Sequence, residues 1–126
     1  MPSILLIDDD EALRNVTVEI LMEAGYTVDD APDGKSGLEL FKTGKHDLII
    51  TDIAMPDMDG IELIMELGHA NPKPRIIAIS GDSQFSESLY LPTARQLGVH
   101  STIRKPIRAE VLLKTVETVL AGPAQA

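Results

Sequence analysis

The sequence predicts an α/β domain: a doubly wound, five-stranded parallel sheet in the order 2-1-3-4-5, with helices on both faces. Three observations carry that prediction. Short aliphatic runs, Ile4-Leu5-Leu6-Ile7, Leu48-Ile49-Ile50-Thr51 and Ile76-Ile77-Ala78-Ile79, are too short for buried helices and read as strands covered on both faces. Segments of helical periodicity alternate with these runs. Right-handed crossovers then leave 2-1-3-4-5 as the common five-strand order. With 126 residues, 44% hydrophobic but only 3% aromatic, the chain is long enough for one domain with an aliphatic core.

Taken in order, residues 4–7 form the first strand, which ends abruptly in Asp8-Asp9-Asp10. Leu13, Val16, Thr17, Ile20, Leu21 and Ala24 recur at helical spacing, predicting a helix over 11–24 with Asp10 as N-cap and Gly25 as its stop. A short strand over 26–30 follows, and Asp33-Gly34 opens a helix carrying Leu38, Leu40 and Phe41 as far as Gly44. The third strand, 48–51, runs into Asp52 and a loop bounded by Pro56 and Gly60. Asp59-Gly60-Ile61-Glu62 has capping-box spacing and starts a helix bearing Ile61, Ile64, Met65 and Leu67, which stops before Asn71-Pro72. Residues 75–80 make the fourth strand, ending in the hydroxyl of Ser80. The segment 81–97 is the least regular, and Pro92 allows a short helix only before it or beginning at it. A weak fifth strand over 99–103 leads to Arg104-Lys105-Pro106, and Val111, Leu112, Thr115, Val116, Val119 and Leu120 mark the last helix. The domain is expected to occupy 1–121, with 122–126 a flexible tail and no effector domain.

Composition removes several classes of function. A formal charge of −9 and scattered basic residues argue against nucleic acid and anionic membrane as direct partners, because phosphate backbones need clustered Lys and Arg. The absence of cysteine excludes disulfides, thiolate nucleophiles and Cys-ligated metals. Neither a signal peptide nor an apolar stretch of membrane-spanning length is visible, so a cytoplasmic location is expected.

The strand ends carry the chemistry. Strand one ends in Asp8-Asp9, strand three in Asp52, strand four in Ser80 and strand five in Lys105. In a parallel sheet all four ends lie on one edge, where such folds bind ligands. Asp52 alone could be a strand-ending residue that caps a loop; the convergence of four polar ends argues otherwise. Carboxylates crowded together repel, and a divalent cation relieves that repulsion in an all-oxygen site of the kind Mg²⁺ prefers. A carboxylate oxygen of Asp52 could then attack phosphorus, with Lys105 and Ser80 holding phosphoryl oxygens by charge and hydrogen bond.

Ile-Leu-Leu-Ile-Asp8-Asp9-Asp10, Asp52-Ile-Ala-Met-Pro56-Asp-Met-Asp-Gly60, Ile-Ile-Ala-Ile-Ser80-Gly81 and Ile-Arg-Lys105-Pro106 together resemble the receiver domain of two-component response regulators, of the stand-alone, chemotaxis-regulator-like kind. The resemblance runs from Ser3 to about Leu120. It implies the flavodoxin-like receiver fold, Asp52 as phosphoacceptor, Asp9 as direct Mg²⁺ carboxylate, Asp8 acting through water, and the carbonyl of Ala54 as backbone metal ligand. It implies Ser80 as switch hydroxyl, Lys105 as partner of the phosphoryl group, and a cis peptide at Lys105-Pro106. The implied partners are a sensor histidine kinase or histidine phosphotransfer protein and a downstream protein target. Output would run by protein contact or phosphorelay, from a signalling protein with self-catalysed phosphotransfer and autodephosphorylation rather than an enzyme.

The chain also departs from the family pattern. Thr102 stands at the switch position that usually holds Tyr or Phe, His100 and Ser101 replace residues that are often acidic, and the stretch between Ser80 and Lys105 is longer than usual. These departures support a second reading, a receiver-fold module that docks on a partner independently of phosphorylation. A more remote alternative is a haloacid-dehalogenase-type phosphatase built on Asp8-x-Asp10, Ser80 and Lys105; it lacks a later acidic pair and leaves Asp52 unexplained. Asp10 is expected to be a cap, Asp29, Asp30, Asp33, Asp57 and Asp59 solvated turn or cap residues, and His46, His69 and His100 surface residues. Met55, Met58 and Met65 read as loop or core filler, and Ser83 and Ser86 as caps.

Overall fold

A computed structural model describes residues 2–53, 60–70, 73–80 and 99–122, with backbone alone at 60 and 61. The elements are β1 (Ser3–Ile7), α1 (Glu11–Glu23), β2 (Thr27–Ala31), α2 (Gly34–Thr43), β3 (Leu48–Asp52), α3 (Gly60–Leu67), β4 (Arg75–Ser80), β5 (Ser101–Arg104) and α4 (Ala109–Ala121). The strands pair in parallel in the order β2-β1-β3-β4-β5, as the sequence predicts. The expected irregular segment around Pro92, the caps at Ser83 and Ser86, and Asp57, Asp59, Met55 and Met58 lie outside the described residues.

Side-chain alternation explains why the central strands are apolar at every position. On one face Leu5, Ile7, Ile49, Ile76 and Ala78 pack with Leu63, Ile64 and Leu67 of α3. On the other, Ile4, Leu6, Leu48, Ile50, Ile77, Ile79 and Ile103 pack with Leu21 of α1 and Leu112, Val116 and Val119 of α4. Burying a residue of this size is worth about 1.5–3 kcal/mol, so these two aliphatic layers hold the strand ends in register.

The helix boundaries follow their caps. Asp10 accepts a hydrogen bond from the Leu13 N–H at 3.0 Å, and Asp33 accepts one from Ser36 at 2.7 Å. Gly25 turns the chain out of α1 with φ 101°, a conformation that side-chain-bearing residues rarely adopt. The Ser36 backbone hydrogen bond is the largest influence holding the Asp33 carboxyl below its usual value of 3.8. A depressed carboxyl stabilises the fold above its unfolded value, and that contribution is lost as pH falls through the lowered folded value. Asp33→Ala is therefore expected to cost about 1 kcal/mol at neutral pH and less in acid, measured by urea denaturation at several pH values.

Several expectations are corrected in detail. Strand β2 begins one residue later than expected, and β5 begins at Ser101, with Val99 packed against the core outside the ladder. Val16, Met65 and Val111 lie on the outer faces of their helices at 52%, 51% and 48% exposure. In α1 the stripe residue Thr17 is buried as expected, its hydroxyl satisfied by the Leu13 carbonyl at 2.8 Å, whereas α3 turns Leu63, absent from the expected stripe, inward. Among the histidines only His69 is a surface residue. The His46 imidazole is 1% exposed and its Nε2 lies 2.8 Å from Asp29 Oδ2. His100 is half-buried, and its Nδ1 accepts from the Ile76 N–H at 3.3 Å. Burial, and then the nearby Arg75 charge, push the His100 imidazole below its ordinary value, which keeps it neutral as that acceptor role requires. Asp29 and Asp30 are strand residues of β2 with cationic or imidazole partners, not turn residues, because β2 is an edge strand whose solvent side tolerates charge.

Candidate functional site

The carboxyl ends of β1, β3 and β4 and the residue following β5 meet at one edge of the sheet. Register brings them there: Ile7 pairs with Thr51, Asp52 with Ile79, and Ser80 with Arg104. The Lys105 N–H donates to the Ser80 carbonyl at 2.9 Å, which ties the lysine to the end of β4. The peptide between Lys105 and Pro106 is cis, as the family resemblance implies.

Asp8, Asp9 and Asp52 each offer a carboxylate oxygen, and these oxygens all lie within 4.8 Å of one another. Asp8 and Asp52 are buried and Asp9 is exposed, so the cluster opens to solvent on one side. Lys105 Nζ sits 2.7 Å from Asp52 Oδ2 and 3.7 Å from Asp8 Oδ2. Burial pushes the Asp8 carboxyl above its usual 3.8; the Asp10 backbone hydrogen bond and the Lys105 charge oppose the rise, and the Asp52 and Asp9 charges add to it. Burial alone would lower Lys105, yet the hydrogen bond and charge of Asp52, followed by the charges of Asp8 and Asp9, raise it above 10.5. One ammonium thus faces three carboxylates, and the formal balance remains negative. An all-oxygen, partly buried, under-neutralised cluster fits a small hard cation such as Mg²⁺.

Ser80 is 1% exposed and its Oγ has no hydrogen-bond partner among the described residues. A buried hydroxyl without a partner is costly, which marks this one as suited to an acceptor arriving from outside. Thr102 lies on β5 in register with Ala78 and is half-buried. Ala54, whose carbonyl the sequence reading offers as a metal ligand, lies outside the described residues.

Arg14 belongs to this neighbourhood and sequence reading missed it. Its Nη1 donates to the Asp8 carbonyl at 2.7 Å, and its Nε donates to Asp30 Oδ2 at 2.8 Å. The backbone of Asp8 is thereby clamped from α1 against β2. Helical spacing places Arg14 one turn after Asp10, but nothing local shows that Asp30 is across the gap.

Residues 4–117 match the family described as response regulator receiver domain. The chain belongs to that family. Among curated relatives of this receiver domain, the sensor kinase CckA of Brucella abortus is 32% identical over 120 residues, covering 94% of this chain and 12% of its own length. The transcriptional regulatory protein GlrR of Escherichia coli is 31% identical over 123 residues, covering 98% of this chain and 27% of its own. The receiver chain therefore spans well under two-thirds of these relatives. Among solved structures, the CheY-like receiver domain protein of Methanospirillum hungatei superposes with a TM-score of 0.87 at 29% identity, covering 96% of this chain and 94% of that one. Chemotaxis response regulator CheY4 of Vibrio cholerae does so with a TM-score of 0.85 at 28% identity, covering 94% and 98%. Both carry the flavodoxin-like arrangement found here. Membership of the receiver family displaces the phosphatase alternative, which also leaves the Lys105–Asp52 pairing without a role. Among the described residues no helix is long and apolar enough to cross a membrane.

Proposed function

We propose that this receiver domain accepts a phosphoryl group on Asp52 from the phosphohistidine of a sensor kinase or phosphotransfer protein, in a Mg²⁺-dependent reaction. The observation that carries the reading is Lys105 Nζ at 2.7 Å from Asp52 Oδ2, beside the Asp8–Asp9–Asp52 carboxylate cluster. A carboxylate oxygen of Asp52 attacks phosphorus; the new O–P bond forms as the N–P bond breaks, and the leaving imidazole nitrogen takes up a proton. Lys105, already held at the reacting carboxylate, pairs with the phosphoryl oxygens as their charge transfers to the Asp52 side. Ser80 offers its unpartnered hydroxyl to one of those oxygens. Asp8, Asp9 and Asp52, with the Ala54 carbonyl, would hold Mg²⁺, which when bound screens the negative charge gathered between carboxylates and phosphate. Hydrolysis of the acyl phosphate by water returns the carboxylate.

Output runs through protein contact or onward phosphotransfer from a single receiver domain in the cytoplasm. Support comes from the composition, with its charge of −9 and no clustered cations at the strand ends beyond Arg104-Lys105, and from CheY4, 98% of whose chain the likeness covers. A second reading, docking without phosphorylation, is favoured by Thr102, whose short side chain cannot perform the ring movement of the usual aromatic.

Intact mass spectrometry tests these readings together. With Mg²⁺ and a small-molecule phosphodonor the protein is expected to gain one acid-stable, base-labile phosphoryl group, and EDTA is expected to prevent the gain. The unmodified protein taken from its own cells is expected at 13.6 kDa. An unmodified mass under all conditions, with a partner still captured, would establish the phosphorylation-independent reading instead; a larger native mass would reject the single-domain arrangement.

A further inference from the structure

The opposite edge of the sheet, where strands begin, carries a feature that phosphotransfer at Asp52 does not use. A cavity of about 540 Å³ opens there between the ends of α2 and α3 and the starts of β3 and β4. Lys42, Lys45, Lys73 and Arg75 line it together with His46, and Asp47 is its one acidic residue. In a chain of formal charge −9 this gathers four of the eleven Lys and Arg residues at one opening.

None of the four cations forms an ion pair among the described residues. Asp47 is committed elsewhere, with Oδ2 accepting from the Ser3 N–H at 2.8 Å. Arg75, at the start of β4, completes the lining, and its Nη2 donates to the Gly122 carbonyl at the end of α4 at 2.9 Å. The formal charge of the lining, with His46 neutral, is +3. Each helix end nearby contributes about half a negative charge, so roughly two positive charges remain unanswered. The remaining wall is apolar: Phe41, which packs on the core, with Pro74 and Ala70.

We infer that this cavity binds a small organic polyanion, one carrying two or more negative charges on a compact body with an apolar face. The charges would meet Lys42, Lys45, Lys73 and Arg75, and the body would lie against Phe41 and Pro74. The volume falls in the ordinary range for small-molecule sites, about 300–1,000 Å³. It is too small to suit a folded partner.

ADP, pyrophosphate and adenosine serve as probes, each titrated against the isotopically labelled protein in EDTA. The chelator prevents any cation from bridging a phosphate to Asp8, Asp9 and Asp52. ADP is expected to shift the amide signals of Lys42, Lys45, Asp47 and Arg75 and to bind at least tenfold more tightly than adenosine and than pyrophosphate. A Lys42→Gln/Lys73→Gln variant, changed only at exposed positions, is expected to weaken ADP at least tenfold while keeping the dispersed spectrum of the folded protein. Absence of these shifts, shifts confined to the Asp8–Asp52 edge, or equal affinity for adenosine would overturn the proposal. So would an unchanged double variant, or an oligoglutamate peptide that shifts the same signals when ADP does not, which would assign the patch to a protein partner. Failure here leaves the phosphorylation of Asp52 unaffected, since that reaction is read by mass at the other edge.

Discussion

Asp52→Asn is expected to gain no base-labile mass under conditions where the wild type takes up one phosphoryl group. The substitution keeps the shape of the side chain and removes the anionic oxygen that would form the acyl phosphate. The substitution leaves the neighbouring groups themselves unchanged: in the wild type Asp8 lies 3.7 Å from Lys105, and the Ser80 carbonyl accepts from the Lys105 N–H. Loss of uptake would therefore report on the nucleophile rather than on the fold, provided the variant retains cooperative urea unfolding. Mg²⁺ affinity, measured by calorimetry, is expected to fall as well, because one of the three clustered carboxylates becomes a neutral amide. A phosphoryl adduct on the variant, mapped to any other residue, would place the acceptor elsewhere and sink the assignment of Asp52.

Gly37→Ala is expected to destabilise the domain, reversing what local helix preference predicts. Gly37 lies inside α2, where Ala is favoured over Gly by about 1 kcal/mol. A Cβ built at that position, however, falls 2.3 Å from Ile7 Cδ1 and 2.6 Å from Ile7 Cγ1. Ile7 is fully buried in the core layer beneath α2, so its side chain has little room to withdraw. Overpacking of this kind costs about 1–3 kcal/mol, enough to outweigh the helical gain at its upper range. The net expectation is a loss of up to about 2 kcal/mol in urea denaturation. Shortening the obstructing side chain with Ile7→Val in the Gly37→Ala background is expected to recover part of that loss. A Gly37→Ala protein more stable than wild type would show that α2 shifts outward freely, and that the close approach of helix and strand is not constrained by packing.

The fold was legible because period and composition agree at each level. The runs at 4–7, 48–51 and 76–79 are apolar at nearly every position, which only a strand covered on both faces requires. Boundaries were legible where a residue acts on the backbone within a few positions of itself, as with Asp10, Asp33 and Gly25. They slipped at β2 and β5, edge strands that lack a covered second side and so carry weaker patterns. Helix faces were less secure: Val16, Met65 and Val111 fit an apolar stripe in sequence, but the stripe is wider than the surface each helix buries.

At the acidic edge, chain order and strand ends were enough to nominate Asp8, Asp9, Asp52, Ser80 and Lys105, since a parallel sheet must deliver all its carboxyl ends together. The 2.7 Å approach of Lys105 to Asp52 and the burial that raises Asp8 depend on how the loop after β5 folds back over the edge. No local pattern encodes that distance. Arg14 shows the same limit, for its hydrogen bonds join α1 to the ends of both β1 and β2. The basic cavity at the other edge shows it most fully: Lys42, Lys45, Lys73 and Arg75 look scattered along the chain. By itself the sequence determined the alternation of elements, the parallel sheet and the identities at its acidic edge, because periodicity and capping are properties of neighbouring residues. Only the tertiary structure decided which charges answer one another and which remain unanswered, because those distances arise from strands and helices far apart in sequence packing on one core.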